Sequence, residues 1–191
     1  MENELKNILR NDLHVTVSGT HSHYCCDPLN EKYIEFLLKT IIDAASSMEI
    51  KEMGDLTISY STCPFEGVGK SRISNHAAES VQVDLFQIKK DGKSLADIVV
   101  HNVHPTILYA TTPYFSAEYP GYLLQCMNEA EPDVFHTFMN GPAGDISTRF
   151  TRKCQTYESV ELLGRNLYEK VMEMKQEELP EVPLKLSFDS T

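Results

Sequence analysis

Residues 81–105 read VQVDLFQIKKDGKSLADIVVHNVHP, and this stretch decides the fold class. Apolar and polar residues alternate over 81–88, which is typical of a half-buried β-strand. Asp91-Gly92 is a two-residue turn signal that predicts a hairpin. The predicted return strand, 95–103, is rich in Ile and Val. It ends before Pro105, because proline has no N–H for a central ladder.

Strand and helix patterns flank this hairpin on both sides. Apolar residues at helical spacing predict helices over about 29–47, 117–129 and 157–178. Alternation predicts strands over about 13–17, 56–60, 134–139 and 184–188, with a loop over about 67–78. Asp27-Pro28 and Ser116 are expected to begin the first two helices, since such residues cap helix N-termini. One hairpin among helical crossovers predicts an α/β fold with a mixed β-sheet flanked by helices.

The composition is that of a globular protein. The 191 residues are 41% hydrophobic and 24% charged, so residues 1–191 are predicted to form a single domain. The chain begins almost directly with a strand pattern and stops directly after one. We therefore expect a truncated portion of a larger domain. The missing segments would leave sheet edges and apolar helix faces uncovered. Because such surfaces recruit partners, we expect a homo-oligomer.

Charge and hydropathy exclude several classes of partner. The net charge is -11, with 17 basic against 28 acidic residues, which argues against nucleic acid and against a polybasic membrane anchor. No apolar run approaches the roughly 20 residues of a transmembrane segment. Residues 1–10 lack the apolar core of a signal peptide. Together with five cysteines of no recognisable spacing, this predicts a cytoplasmic protein with reduced thiols.

His21-Ser22-His23 follows the first predicted strand. In an extended chain, residues i and i+2 point to the same side. Two imidazoles on one face can share a metal ion, or one can bind the metal while the other acts as a base. The alternative is a pair of exposed loop histidines without a function.

His101 and His104 lie at the end of the predicted return strand. His104 stands where the chain leaves the sheet, which is where sites tend to lie in α/β proteins. His101 has the opposite strand parity, so it is predicted to face another way, as a core or supporting histidine.

Residues 140–149, NGPAGDISTR, end another predicted strand. Their glycines permit a tight turn and close approach of the backbone to a ligand. Ser147 could be a nucleophile, an oxyanion donor or a helix cap, of which the cap is the commonest. Because three motifs distant in sequence all stand at strand exits, they indicate a common site.

Four of these motifs, in order, resemble those of the neutral/alkaline (non-lysosomal) ceramidases. Residues 17–23, VSGTHSH, resemble the family's Ser-Gly/Ala-Thr-His-Thr-His segment, and His104-Pro105-Thr106 resembles its His-Pro-Thr. Residues 116–122, SAEYPGY, resemble its Ser-Gly-Asp-x-x-Gly-Tyr stretch, and residues 144–147, GDIS, resemble its Gly-Asp/Asn-Val/Leu-Ser. The resemblance covers nearly the whole chain and identifies it as an internal piece of the catalytic domain.

The resemblance implies a zinc-dependent hydrolase that acts on an N-acyl amide, either a small molecule or a lipid such as ceramide. His21 and His104 would be zinc ligands. His23 would be an acid/base group or a substrate contact beside the metal. Ser147 would stand near the scissile amide, and Arg72 would match a site arginine.

The sequence also departs from the family pattern. The family completes its zinc site with a Glu and a Tyr from further along the domain, beyond the end of this chain. Because only two of the zinc ligands are present, we expect this chain to bind zinc weakly or not at all and to hydrolyse little substrate. Glu118 or Asp145 could replace a missing ligand, but this outcome is less favoured. The alternatives are a catalytically inactive remnant or assembly subunit that keeps the fold, and an amidase or esterase acting on a smaller polar substrate.

Overall fold

A computed structural model of the chain describes residues 5, 9, 18–19, 21–27, 29–49, 51, 53–73, 81–177 and 179–184. The chain divides into two compact units. The first comprises Met1–Gly19 and Cys25–Gly54, and the second comprises Thr20–Tyr24 and Asp55–Thr191. The assignment of residues 1–191 to a single domain stays a prediction. No helix in the described ranges is both long enough and apolar enough to cross a membrane.

The first unit contains helix α1 (Glu31–Ser47). The helix begins later than predicted, because the side chain of Asn30 caps it by accepting from the backbone N–H of Tyr33. Asp27 instead accepts from the N–H of Leu29 in the preceding turn, and Pro28 lies outside the described residues.

The second unit holds a mixed five-stranded sheet, which confirms the predicted fold class. Its elements are, in chain order, β1 (Thr57–Pro64), β2 (Lys70–Ser71), β3 (Gln82–Lys90), β4 (Lys93–His101), α2 (Glu118–Ala130), β5 (Phe135–Asn140), β6 (Ile146–Ser147), a 3-10 helix (Thr148–Phe150), α3 (Tyr157–Lys175) and β7 (Val182–Pro183). The strand order is β5-β4-β3-β1-β7, and β2 pairs with β6 in a separate two-stranded sheet. Strands β4 and β5 are parallel, while the other pairs are antiparallel.

The predicted hairpin lies at the centre of the sheet. Lys90 and Lys93 pair across its turn, and both turn residues have positive φ, 50° at Asp91 and 75° at Gly92. These angles match the hairpin turns whose twist fits that of the flanking strands. The turn therefore sets the register of the first two pairs of β3 and β4. An irregularity between Ile88 and Lys89 then shifts the register of the remaining pairs by one residue.

One face of the sheet and the helices α2 and α3 bury a common core. Every second residue of β3 and β4 contributes to it, as the period of two requires. Its fully buried members include Val83, Leu85 and Val99 from the sheet, Tyr119, Leu123 and Met127 from α2, and Leu167 and Val171 from α3. The helices approach closely at Gly164, where a Cβ atom would lie 2.8 Å from Cβ of Tyr122.

A charged cluster is buried beside this core. Nζ of Lys175 lies 2.6 Å from a carboxylate oxygen of Asp97 and also contacts Glu131. Nδ1 of His136 lies 3.2 Å from the same Asp97 oxygen. Burial alone would lower the pKa of Lys175, but the hydrogen bonds and charges of Asp97 and Glu131 outweigh it and raise that pKa. The cluster therefore ties the end of α3 to β4 by a charged pair.

The sequence predictions depart from the structure mainly at short elements. The two-residue strands β2 and β6 were not predicted, and β2 falls within the predicted loop. Strand β7, Val182–Pro183, was also not predicted, and Leu184, the one described residue of the predicted strand 184–188, lies just outside it. Residues 185–188 of that prediction and the predicted strand 13–17 lie outside the described residues.

Candidate metal centre

Three histidine side chains meet at one place in the second unit. The ring centroids of His21 and His104 are 4.8 Å apart, those of His21 and His23 5.2 Å, and those of His23 and His104 5.6 Å. One ring nitrogen from each can be chosen so that all three lie within 4.8 Å of one another. The convergence expected for His21 and His104 is therefore present, although their roles as ligands stay predictions.

The backbone at His21 has an uncommon conformation. Its φ is 59°, in the left-handed region that non-glycine residues seldom adopt. The chain from 23 to 26 then bends rather than running straight. His21 and His23 thus converge through a bent loop, whereas the sequence argument relied on an extended chain. Uncommon backbone of this kind persists where surrounding contacts hold it in place.

Contacts with a distant loop hold the His21–His23 segment. The hydroxyl of Ser22 donates to the carbonyl of Ser116 at 2.6 Å, and the N–H of Ser116 donates to the carbonyl of Tyr24 at 2.9 Å. The buried hydroxyl of Tyr24 donates to the carbonyl of Leu108 at 2.6 Å. Burial, together with the nearby Glu118 charge, raises the pKa of Tyr24 to about 12, so this hydroxyl keeps its proton at neutral pH.

His104 is oriented by a backbone carbonyl. Its Nδ1 lies 3.0 Å from the carbonyl oxygen of Ile146. Because a carbonyl only accepts, Nδ1 carries the proton and Nε2 keeps its lone pair. Such a hydrogen bond fixes the tautomer and ring direction of metal-binding histidines. β4 and β5 are parallel, so the segments that follow them, which carry His104 and Ile146, leave the same edge of the sheet.

The loop after His104 is held by Glu118, at the start of α2. One carboxylate oxygen of Glu118 accepts from the N–H of Ile107 at 2.7 Å and from the N–H of Leu108 at 2.8 Å. Glu118 is only 2% exposed, and burial is the main cause that raises its pKa. The substitute-ligand role considered for Glu118 therefore finds no support in its geometry, since the side chain holds the backbone beside the histidines.

Arg72 lies next to the histidine cluster. Its backbone N–H donates to the carbonyl of Asp145 at 2.6 Å, and its guanidinium donates to the carbonyl of Gly144. The pKa of His23 is lowered by burial first, then by the charges of His21, His104 and Arg72. His23 therefore remains neutral, with a free lone pair, to lower pH than an isolated imidazole.

Ser147 stands one residue after the carbonyl that orients His104. It pairs with Lys70 in the small sheet, and its hydroxyl accepts from the N–H of Arg149 at 3.2 Å, which caps the 3-10 helix. The Ser147 hydroxyl therefore caps this helix. Of the three roles that the sequence left open for Ser147, this is the commonest one for a serine. Roles for Ser147 and Arg72 in chemistry stay predictions.

His101 belongs to the core and not to this cluster. It is fully buried, and its Nδ1 donates to the carbonyl of Gln82 at 2.7 Å. Its ring contacts those of Phe65 and Tyr119. Burial lowers the pKa of His101 to about 4. The predicted separation of His101 from His104 is present, but strand parity does not cause it, since β4 ends at His101 and His104 lies in the loop that follows.

A cavity of about 250 Å³ adjoins the loop that follows His104. Ile107, Thr148 and Arg152 are among its lining residues, but none of the three histidines is. Two of the histidines, His21 and His23, are exposed, so the cluster faces solvent.

Comparison with known proteins identifies the fold. No protein-family model matches the sequence, and no curated protein matches it significantly. Among the similar solved structures are two that each align with a TM-score of 0.61 over 83% of this chain. One is a ceramidase complexed with C2, at 15% sequence identity. The other is the neutral ceramidase from Pseudomonas aeruginosa, at 16%.

The likeness concerns part of a larger chain. This chain spans 29% of the length of each of these two structures. At such low identity the similarity shows a shared fold, and the predicted resemblance to neutral ceramidases is confirmed at that level.

Proposed function

We propose that this chain carries a ceramidase-like, zinc-dependent site for the hydrolysis of N-acyl amides, with a lipid amide as substrate. One observation carries the proposal. Three histidines from motifs far apart in sequence converge in space, on a fold shared with part of a neutral ceramidase.

The donor set fits zinc. Neutral imidazole is a common zinc ligand, and the hydrogen bond from His104 to Ile146 leaves its other nitrogen available. His21 and His104 are the proposed ligands. Zinc, when bound, polarises a carbonyl group and makes water more acidic.

The remaining side chains supply orientation and proton transfer. His23 lies beside both proposed ligands, where its neutral ring could accept a proton or bind the metal. The charge of Arg72 reaches His23, and we propose that the guanidinium attracts an anionic group of the reaction. We propose that the Ser147 hydroxyl donates to the amide carbonyl oxygen, where such a donor would stabilise developing negative charge.

Hydrolysis of N-acyl sphingosine, a short-chain N-acyl amide and a matched ester tests the proposal. With two proposed ligands we expect weak amide cleavage that needs zinc, stops with a chelator and is lost in His21→Ala. Lys170→Ala, in α3 and outside the histidine cluster, is the matched control and should keep full activity. Cleavage of the short ester alone would favour an esterase. A zinc-loaded chain that cleaves none of the three would indicate a remnant that keeps only the fold.

Self-association and a cytoplasmic location remain proposals. Apolar side chains exposed on strands of the sheet, namely Tyr60 at 48%, Phe135 at 69% and Met139 at 40%, support a homo-oligomer, because exposed apolar patches favour association. Sedimentation that shows only monomer at high protein concentration would contradict it.

A further inference from the structure

We infer that His23 is itself a metal ligand, so that His21, His23 and His104 form a three-histidine centre built within this chain. The inference rests on the proposed function for the location of the site. It assigns His23 a different role from the proton transfer or substrate contact that the family resemblance implies.

The distances support a ligand role. In tetrahedral zinc sites each nitrogen lies about 2.0–2.1 Å from the metal, which places two nitrogens about 3.3 Å apart. The three ring nitrogens here lie within 4.8 Å of one another. Closing the widest gap therefore needs a movement of at most about 1.5 Å, which side-chain rotation can supply without moving the backbone.

The surroundings restrict the backbone but leave two rings free to rotate. His21 and His23 are exposed, so their rings can turn toward a bound ion. The residue between them is anchored through the hydroxyl of Ser22, and His104 is oriented by Ile146. One fixed imidazole and two adjustable ones on an anchored loop can thus close around a cation.

The number of ligands matters for affinity. Catalytic zinc usually holds three protein ligands and leaves the fourth position for water or substrate. Among the described residues, the ligand atoms that share this place belong to these three histidines. With His23 as the third ligand, the chain should bind zinc tightly, in contrast to the weak binding expected from two ligands.

Titration with zinc or cobalt ions alone, without any substrate, tests the inference. The wild-type chain should bind one ion, and four-coordinate cobalt should give intense visible absorption. His23→Ala should lower zinc affinity by at least about 100-fold, since even the loss of a group that only orients a ligand costs 10–100-fold. His21→Ala and His104→Ala should do the same. Circular dichroism confirms that each variant is folded.

Two further variants separate a ligand from a neighbouring base. His23→Glu should recover part of the lost affinity, because a carboxylate also binds zinc. Cys25→Ser removes the exposed thiol that is nearest in sequence to the histidines, and it should leave zinc affinity unchanged. Nitrogen NMR spectra of the imidazoles should show the His23 ring shifting on zinc addition, together with those of His21 and His104.

The possible results distinguish this inference from the proposed function. If zinc binds normally to His23→Ala while His21→Ala loses it, His23 is not a ligand and the inference is overturned, although the proposed site survives. A wild-type chain that binds no zinc overturns both. Tight zinc binding that needs all three histidines, with no amide hydrolysis, supports the inference and removes the proposed activity.

Discussion

Removing the carboxylate of Glu118 should loosen the loop that carries His104. Glu118 accepts from two backbone N–H groups, those of Ile107 and Leu108, and these two residues are 2% and 3% exposed. In Glu118→Ala both buried donors lose their acceptor. Each buried unsatisfied group costs about 1–3 kcal/mol, so we expect the free energy of unfolding to fall by about 2–6 kcal/mol.

Glu118→Gln separates the hydrogen bonds from the charge. The glutamine side chain keeps a carbonyl oxygen that can accept from the two N–H groups. At low pH, Glu118→Gln should therefore lower the free energy of unfolding less than Glu118→Ala does. Because the folded-state pKa of Glu118 is raised, chiefly by burial, its stabilising contribution is complete below the unfolded pKa. It is lost as pH rises through the folded pKa. The glutamine variant does not titrate, so it should gain stability relative to the wild type between acidic and neutral pH.

Urea unfolding followed by circular dichroism at several pH values measures both effects. Zinc titration of the same variants reports whether the site loosens with the loop, and Glu118→Ala should bind zinc less tightly. If Glu118→Ala unfolded at the same urea concentration as the wild type, the argument from buried donors would be refuted. If Glu118→Ala and Glu118→Gln lowered the free energy of unfolding equally at low pH, the glutamine carbonyl would not be replacing the lost acceptor, and that step of the reasoning would be refuted.

Three further predictions concern the core. Lys175→Met leaves the buried carboxylate of Asp97 without its ammonium partner, which should cost about 3–5 kcal/mol in urea unfolding. His101 has a pKa lowered to about 4, so its contribution to stability is complete above about pH 6.5 and is lost as pH falls toward 4, by about 3 kcal/mol. His101→Gln should flatten that part of the pH profile. Gly164→Ala places a Cβ 2.8 Å from Cβ of Tyr122, so it should lower the thermal midpoint by forcing α2 and α3 apart.

Matched variants serve as controls for the lysine and glycine substitutions, and the wild type serves as the control for His101→Gln. Lys170→Met removes a half-buried lysine of α3 whose partner, Glu173, is exposed, and it should leave the urea midpoint unchanged. Gly144→Ala meets no atom within 4 Å, so it should be tolerated where Gly164→Ala is not. A pH profile of His101→Gln that follows the wild type would show that another group causes the acid destabilisation.

Local patterns were sufficient to predict most of the fold. The Asp91-Gly92 turn, the alternation in its flanking strands and the helical spacing along α3 each depend on residues close in sequence. The strands β2 and β6 were not predictable in this way, because Lys70 pairs with Ser147 and two residues carry no period. Asn30 was missed as a cap in favour of Asp27, since either residue type can begin a helix.

The sequence was sufficient to predict which histidines belong to the candidate site, but not the contacts that bring them together. His21, His23 and His104 stand out because they end predicted strands. The residues that position them give no local signal. Tyr24 reaches Leu108 across 84 residues, and the Glu118 hydrogen bonds depend on where α2 begins.

The proposed metal ligands and the residues that hold them in place differ in burial, so substitutions at the two kinds of position should have different effects. His21 and His23 are exposed, so their substitution should change metal binding and leave stability nearly intact, as is usual for surface positions. Glu118 and Tyr24 are buried and bond to backbone groups, so their substitution should lower stability and affinity together. A variant that loses zinc while keeping its unfolding free energy therefore identifies a ligand. A variant that loses both identifies a residue that holds the ligands in place.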